Sequence, residues 1–256
     1  MWPRIGPAST YGILCLSGIV LHFLVSWRIA NHCGLKRRVW IVVSVCYLIG
    51  MVPGAKLLYD LRHDMLNLMA LFGAEHYVQG GLWGGLLAYW ALAVPAVLLL
   101  TRDRRAALDL VGLSIPLPWI AAKLGCLLNG CCYGKPCSWP WAITFPDGAR
   151  GAPAGVPLHP TQLYEVGLML VILLVFAMLR SPAWRGTKLL WFIAIYGLGR
   201  ALTDFLRGDT EGHLYWGLLS LTQVLCLVAA GAAAVALACH ICLIARRSLP
   251  ARSNPA

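Results

Sequence analysis

Long apolar stretches alternate with short polar segments along the whole chain. The apolar stretches have about 17 to 30 residues each, and a helix needs roughly 20 predominantly apolar residues to cross a bilayer. They are residues 11–29, 39–59, 80–100, 108–128, 163–179, 189–206 and 216–245. This pattern predicts an all-α integral membrane protein with about seven transmembrane helices. We expect residues 1–256 to form a single membrane-embedded domain.

Two polar segments are longer than the other connections. Residues 60–77 are amphipathic and mixed in charge, which favours a short helix in the membrane interface. Residues 130–160 form the one long loop and are rich in Pro, Gly and Trp. Because the other connections are short, this loop is the main candidate for a folded region outside the bilayer.

Proline and glycine mark local features inside the predicted spans. Pro53-Gly54 predicts an interruption of the second span, and Pro116 and Pro118 predict a break in the fourth. The third span opens with Gly80-Gly81 and Gly84-Gly85. These small residues predict a close approach of the third helix to a neighbouring helix.

Composition agrees with a membrane protein. The chain is 59% apolar and 12% charged, whereas soluble domains are usually about 45–50% apolar and about 25% charged. The formal net charge of +11 would suit a nucleic-acid-binding protein. We expect no nucleic-acid partner, because the basic residues lie in short loops between apolar stretches and not on one soluble face.

The basic loops predict the orientation in the membrane. Lysines and arginines concentrate in alternate loops, which face the cytoplasm under the positive-inside rule. This side carries Arg28, Lys36, Arg37, Arg38, Arg102, Arg104, Arg105, Arg180, Arg185, Lys188, Arg246, Arg247 and Arg252. We therefore expect the N-terminus outside and residues 246–256 as a cytoplasmic tail. Residues 130–160 are then extracytoplasmic and form a short head region.

Lys123 lies inside the fourth predicted span, and Arg200 and Asp204 lie inside the sixth. A charge at membrane depth costs at least about 2–3 kcal/mol, so it usually has a task. In one interpretation, Arg200 and Asp204 form an i,i+4 ion pair and Lys123 extends to the interface. In the other, Lys123 and Arg200 converge on an anion, for which a phospholipid head-group phosphate is the abundant candidate.

Further polar residues lie in the predicted outer half of the membrane, at one depth. With Lys123 and Arg200 they come from five different spans. They are Tyr11, Gln79, His159, Glu165 and Tyr196. Polar groups from so many spans at one depth predict a shared site.

Four motifs carry a resemblance to a known family. They are Gly125-Cys-Leu-Leu-Asn-Gly-Cys-Cys-Tyr-Gly134, Phe145-Pro146, His159-Pro-Thr-Gln-Leu-Tyr-Glu165, and Tyr196-Gly-Leu-Gly-Arg-Ala-Leu-Thr-Asp-Phe-Leu-Arg207. Together with Tyr11-Gly12, the span count and the orientation, this pattern resembles the prolipoprotein diacylglyceryl transferase family over nearly the whole chain.

The resemblance implies a reaction and its location. Such enzymes move the diacylglyceryl group of phosphatidylglycerol onto the lipobox cysteine thiol of a preprolipoprotein, the first step of bacterial lipoprotein maturation. The implied partners are phosphatidylglycerol, the preprolipoprotein signal peptide and membrane lipids. The implied location is the bacterial cytoplasmic (inner) membrane, in a multi-pass form, and no cofactor or metal is implied.

The resemblance also implies the site residues. Arg200 matches an arginine that the family needs, and with Lys123 and Gln79 it makes up the expected catalytic set. The expected substrate-binding residues are Lys123, Asn129, Gly134, Tyr11, Tyr196, His159, Glu165 and Asp204. Among these, Asp204 stands where the family usually has Glu and would orient Arg200.

Several positions depart from the family pattern. Lys123 and Lys56 stand where the family usually has Arg, and lysine lacks the bidentate geometry of arginine. Gln79 stands where the family has a histidine; His76, three residues earlier, is an alternative base. These changes motivate the alternative of a lipid-binding paralogue with lost or altered catalysis. A further alternative is an unrelated transport or redox function.

The chain has ten cysteines. Four of them surround the signature loop, at Cys126, Cys131, Cys132 and Cys137. The spacing C-x4-C-C-x4-C is not a standard zinc or iron–sulfur pattern, so no metal site is predicted. A disulfide on the oxidising face of the membrane, involving Cys137, is an open alternative.

Overall fold

The computed structural model describes residues 4–5, 8–62, 82–209, 214–215 and 218–248. Gln79, His76 and most of the predicted interfacial segment 60–77 lie outside these residues, as does the end of the tail. The described parts are mainly helical. The helices are α1 (Thr10–His32), α2 (Arg37–Arg62), α3 (Leu82–Leu100), α4 (Arg104–Leu113), α5 (Pro116–Asn129), α6 (Thr161–Met178), α7 (Lys188–Asp204) and α8 (Leu221–Ser248).

Three short antiparallel strand pairs accompany the helices. They are β1 (Arg4–Ile5) with β2 (Ala8–Ser9), β3 (Ile143–Thr144) with β4 (Pro157–Leu158), and β5 (Leu214–Tyr215) with β6 (Leu219–Ser220). A 3₁₀ turn, Pro182–Trp184, precedes α7. The last helix therefore begins at Leu221, after the β5–β6 hairpin, and not at residue 216 as the apolar pattern predicts.

Five helical segments among the described residues are long and apolar enough to cross a membrane. They are Thr10–His32, Arg37–Leu57, Arg104–Asn129, Thr161–Met178 and Leu221–Arg246. The prediction of an all-helical multi-pass membrane protein is confirmed at this level. The third and sixth predicted spans correspond to shorter helices: Gly84–Leu100 is the apolar part of α3, and α7 has 17 residues. Seven crossings and the orientation remain predictions.

Proline acts differently in two of the spans. Pro53 lies inside α2, which continues to Arg62, so the predicted interruption of the second span is wrong. The fourth span does break, because α4 ends at Leu113 and α5 begins at Pro116. Proline is favoured in the first turn of a helix, where its missing N–H is not needed.

Glycines allow α2 and α3 to pack backbone to backbone. A Cβ atom added at Gly50 would lie 2.5 Å from the Tyr89 backbone, and one added at Gly85 would lie 2.5 Å from the Met51 carbonyl. Both separations are too short for any side chain. The predicted close approach of the third helix to a neighbour is thus confirmed at Gly85.

The hydrophobic core lies between the helices, and its side chains come from all of them. Among its fully buried large side chains are Tyr89, Leu110, Ile172 and Phe192. Large apolar side chains also cover the outside of α1, α6 and α8, where Leu174 and Val228 are more than half exposed. A helical bundle that presents leucine and valine outwards suits a lipid surrounding.

The loop 130–160 packs over one end of α5, α6 and α7. Phe145, Ala152 and Leu158 form a small apolar core within it. The loop is bonded to the end of α7 through backbone groups: the Lys135 amide donates to the Leu206 carbonyl at 2.7 Å, and the Gly208 amide donates to the Tyr133 carbonyl at 3.1 Å. These bonds bring the signature loop and the end of α7 together at the site.

Candidate active site

The carboxylate of Glu165 lies at the centre of a buried group of charges. Its Oε1 atom is 2.8 Å from Nζ of Lys123, 3.3 Å from Nη1 of Arg200 and 3.7 Å from Nη1 of Arg207. Glu165 is 1% exposed and Lys123 is 3% exposed. We call Lys123, Arg200 and Arg207 the cation cluster. Its members come from α5, from α7 and from the segment that follows α7.

Two neutral donors satisfy the other oxygen of Glu165. The Trp119 indole N–H donates to Oε2 at 3.1 Å, and the Tyr196 hydroxyl donates to Oε2 at 3.2 Å. Trp119 lies one turn before Lys123 on α5, and Tyr196 lies one turn before Arg200 on α7, so each helix supplies one cation and one neutral donor from the same face. Both oxygens of the buried carboxylate are therefore paired, as a charge at this depth requires.

Two further carboxylates hold the arginines from the other side. Asp204 Oδ1 is 2.9 Å from Arg200 Nη2, and its Oδ2 accepts a hydrogen bond from the Ser220 hydroxyl. Arg207 donates to Asp209 through Nη2. Burial lowers the pKa of Arg207, but the charges of its neighbours outweigh this effect and raise that pKa well above its usual value. Arg200 thus has two acidic partners. Arg207 has three, because its Nε also lies 4.0 Å from Asp204 Oδ1, and these contacts set the orientation of both guanidinium groups.

Both interpretations of the buried charges can be compared with this geometry. Arg200 forms the i,i+4 ion pair with Asp204 and also reaches Glu165. Lys123 does not extend to the interface, since it is buried against Glu165. The interpretation of Lys123 as an interfacial lysine is therefore wrong. The two cations do converge, and they meet at a protein carboxylate.

The signature loop contacts the start of α6. The Gln162 side-chain N–H donates to the Cys131 carbonyl at 2.7 Å, and the Thr161 hydroxyl donates to the Cys132 carbonyl at 2.6 Å. Gly134 lies where a Cβ atom would be 2.4 Å from Cβ of His159. The H-P-T-Q-L-Y-E motif thus has two roles: its polar residues hold the signature loop, and its glutamate holds the cation cluster.

Three further predicted site residues, His159, Asn129 and Tyr11, lie around this centre and not in it. Nδ1 of His159 is 3.0 Å from the Tyr164 hydroxyl, and the His159 ring stands beside Trp139 in the head region. Asn129 directs its amide at the Cys131 sulfur, 3.6 Å away. The Tyr11 ring packs against α5 at Gly125, where an added Cβ atom would lie 3.4 Å from its Cδ2.

Three cysteines form a second group beside the cations. The sulfur atoms of Cys126, Cys131 and Cys132 all lie within 4.8 Å of one another. We call them the cysteine cluster. Hydrogen bonds from Cys126 and Cys131, together with the charges of Lys123 and Arg207, hold the pKa of the Cys132 thiol well below its usual value. All ten cysteines of the chain are free thiols in the structure, and Cys137 is not in this cluster.

Sequence reasoning missed some residues of this site. Arg207 is not among the predicted site residues, although it ends the Tyr196–Arg207 motif, and that position was the available signal. Trp119 and Ser220 carried no signal, because a tryptophan or a serine near a predicted span is common. Lys56 is buried on α2, in agreement with its assignment to the second span.

The geometry suits the stabilisation of a negatively charged group. Three cations that are buried and held in fixed orientations stabilise an anion more strongly than the same cations would in water. They use only some of their N–H groups on Glu165 and Asp204, because a lysine has three donors and an arginine has five. The buried Nε atom of Arg207 has no hydrogen-bond partner among the described residues.

Comparison with known proteins gives a consistent result. A family model described as prolipoprotein diacylglyceryl transferase matches residues 4–239. The chain is 31% identical over 233 residues to the phosphatidylglycerol–prolipoprotein diacylglyceryl transferase of Methylococcus capsulatus, with 85% of each chain covered. It is 32% identical over 229 residues to the protein of the same name from Geobacter sulfurreducens, with 84% of each covered. The corresponding protein of Clostridium tetani is 29% identical over 225 residues, which cover 85% of this chain and 87% of that protein.

Proposed function

The chain belongs to the prolipoprotein diacylglyceryl transferase family, and we propose that it transfers the diacylglyceryl group of phosphatidylglycerol to the thiol of a preprolipoprotein. The observation that carries this proposal is the convergence of Lys123, Arg200 and Arg207 on one buried point. The acceptor is the lipobox cysteine at the end of a signal peptide. The site of action is the bacterial cytoplasmic membrane.

The reaction replaces one bond to carbon with another. The cysteine sulfur forms a bond to a methylene carbon of the glycerol backbone, and the bond from that carbon to the phosphate oxygen breaks. The products are a thioether and glycerol phosphate, and the thiol gives up its proton. The phosphate gains negative charge as the bond breaks, so a cluster of fixed cations stabilises the transition state more than the ground state.

Each charged residue has a separate task in this proposal. Arg200 and Arg207 bind the phosphate through N–H groups that do not face their carboxylate partners, and Lys123 adds a third positive charge. Glu165 and Asp204 are positioning residues, because they keep the cations in place before the lipid arrives. Tyr196 holds Glu165 through its hydroxyl.

The remaining predicted residues surround the substrate. Asn129 and Gly134 shape the signature loop, Tyr11 contributes from α1, and His159 ties the head region to α6 through Tyr164. Gln79, at the start of the third predicted span, stays part of the proposed catalytic set.

The membrane arrangement in the proposal has seven crossings, with the N-terminus outside. The five long helical segments supply five of them. The other two are α3 and α7. The 17 residues of α7 measure about 26 Å, which is close to the thickness of the hydrocarbon core, about 30 Å. The cation cluster then lies in the outer half of the membrane, below the head region.

Transfer activity is the test. Purified protein in detergent is incubated with a lipobox peptide and with phosphatidylglycerol labelled in the glycerol that carries the acyl chains. Label that stays on the peptide after hydroxylamine has removed the ester-linked chains reports the thioether. We expect labelled peptide with the wild-type chain and complementation of a transferase-depleted strain. No labelled peptide, combined with lipid binding that Arg200→Ala weakens, would instead establish the lipid-binding paralogue.

A further inference from the structure

The cysteine cluster of Cys126, Cys131 and Cys132 is not used in the proposed transfer reaction. Cys126 is in the last turn of α5 and is 2% exposed, and the other two are half-buried in the signature loop. Their three sulfur atoms lie within 4.8 Å of one another. Three sulfurs around one point are a different arrangement from a cysteine pair, and they require a separate explanation.

The backbone is bent to bring these sulfurs together. Gly130 has φ of +76° and Cys132 has φ of +59°. Among the described residues, Cys132 is the one non-glycine residue with positive φ. A non-glycine residue in the left-handed region is strained and often marks a functional site. The hydrogen bonds from Gln162 and Thr161 to the neighbouring carbonyls hold this strained turn in place.

A hydrogen-bond donor and two cations lie beside two of the three sulfurs, those of Cys131 and Cys132. The Asn129 amide donates to the Cys131 sulfur at 3.6 Å. Lys123 and Arg207 place two positive charges near Cys132. Amide donors and cations around thiolate sulfurs are the outer partners that metal–thiolate sites use to balance their negative charge.

We propose that Cys126, Cys131 and Cys132 bind one thiophilic metal ion through three thiolates. A zinc–sulfur bond of about 2.3 Å places the sulfurs of a trigonal site about 4 Å apart, which the observed separations allow with only a small contraction. Thiolates favour soft ions, of which Cu(I) and Zn(II) are the relevant ones here. Cu(I) is satisfied by three ligands, whereas Zn(II) would take a fourth from outside the cluster.

A disulfide explains this geometry less well. It would join two of the sulfurs and leave the third beside them without a function, whereas a metal ion uses all three. The spacing C-x4-C-C did not predict a metal site, because standard patterns separate ligand pairs by two to four residues. Here the left-handed turn at Cys132 makes adjacent cysteines converge, and sequence spacing does not reveal such a turn.

The test is metal binding by the full-length protein in detergent, so it does not depend on transferase activity. The protein is reduced and freed of reductant without oxygen, and Cu(I) is then titrated in competition with a chromophoric Cu(I) chelator. A parallel titration uses Zn(II) and a zinc indicator. We expect one ion per chain in at least one titration, with thiolate-to-metal charge-transfer absorbance for Cu(I).

Single variants locate the ion. We expect Cys126→Ser, Cys131→Ser and Cys132→Ser each to weaken binding at least tenfold. Cys137→Ser, in the same loop but outside the cluster, is the matched control and should bind like the wild type. If the Cys126→Ser protein is not monodisperse, the proposal is tested with the variants at the two half-buried residues, Cys131 and Cys132.

Three results would overturn the proposal. The first is that the protein holds neither Cu(I) nor Zn(II) against its chelator. The second is equal binding by the wild type and by the variant that lacks all three cysteines. The third is a disulfide between two of the three residues, found by peptide mapping of protein taken from freshly prepared membranes. A failed transfer assay would leave these results unaffected, so the two proposals fail separately.

Discussion

Lys123 Nζ lies 2.8 Å from Glu165 Oε1, in an ion pair that is almost wholly buried. Arg200 and Arg207 reach the same oxygen from α7 and from the segment after it. One carboxylate therefore connects three cations that are far apart in the sequence.

Replacing Glu165 with glutamine should destabilise the protein. The change leaves three cations in a buried place without their shared counter-ion, and breaking a buried ion pair costs about 3–5 kcal/mol. We expect a markedly lower midpoint of thermal unfolding in detergent and a loss of transfer activity. Asp103→Asn is the control, because its ion pair with Arg185 is half exposed and such pairs contribute about 0–1 kcal/mol. Similar midpoints for both variants would contradict the central role of Glu165.

Arg200→Ala should abolish transfer. Loss of one fixed donor to a developing negative charge typically lowers the rate about 10²–10³-fold, and Arg200 also holds Asp204. The measurement is the rate of thioether formation at saturating phosphatidylglycerol. Arg185→Ala removes an exposed arginine that precedes α7 and should keep the wild-type rate. A rate within threefold of wild type in Arg200→Ala would refute its assignment to the phosphate.

Lys123→Arg should preserve or raise the transfer rate. Arginine keeps the charge, restores the residue that the family usually has, and adds the bidentate geometry that a phosphate accepts. Lys123→Ala should lower the rate strongly, because Glu165 loses its shortest ionic contact. An inactive but folded Lys123→Arg variant would show that this pocket is built around an ammonium group and not a guanidinium.

Gly134→Ala should disrupt the site by sterics alone. The new methyl group would lie 2.4 Å from Cβ of His159 and 2.5 Å from its carbonyl oxygen, so the loop would have to move. We expect lower activity and a lower unfolding midpoint. Gly167→Ala in α6 is the matched control, since a Cβ atom there meets no atom within 4 Å. That variant should be unchanged or slightly more stable, because alanine favours the helix.

Hydrophobic pattern and motif predicted part of this site well. The helices, their approximate bounds and the membrane depth of Lys123, Glu165, Tyr196 and Arg200 follow from where apolar stretches begin and end. Their expected common depth in the membrane was enough to predict that these residues share a site. It did not reveal that Glu165 would be the common partner, because that depends on how each helix is rotated about its axis, and rotation is set by packing.

Other features could not be derived from the sequence for similar reasons. Asn129 carries a signature position, but its amide faces Cys131 because the chain turns sharply at Gly130. Pro53 looked like a helix breaker, yet α2 continues through it. The break between α4 and α5 was recognisable, since Pro116 opens a helix in the position where proline is tolerated. Local residue preference decides such cases only when packing does not oppose it.

The backbone bonds between the signature loop and the end of α7 have a consequence for motion. The amides of Gly134, Lys135 and Gly208 are bonded to carbonyls of His159, Leu206 and Tyr133. Because these bonds interlock, their protons should exchange with solvent in one cooperative opening event. Any opening of the loop that admits a lipid must release the chain next to Arg207 as well. Opening of the loop and movement of the chain at Arg207 are therefore coupled.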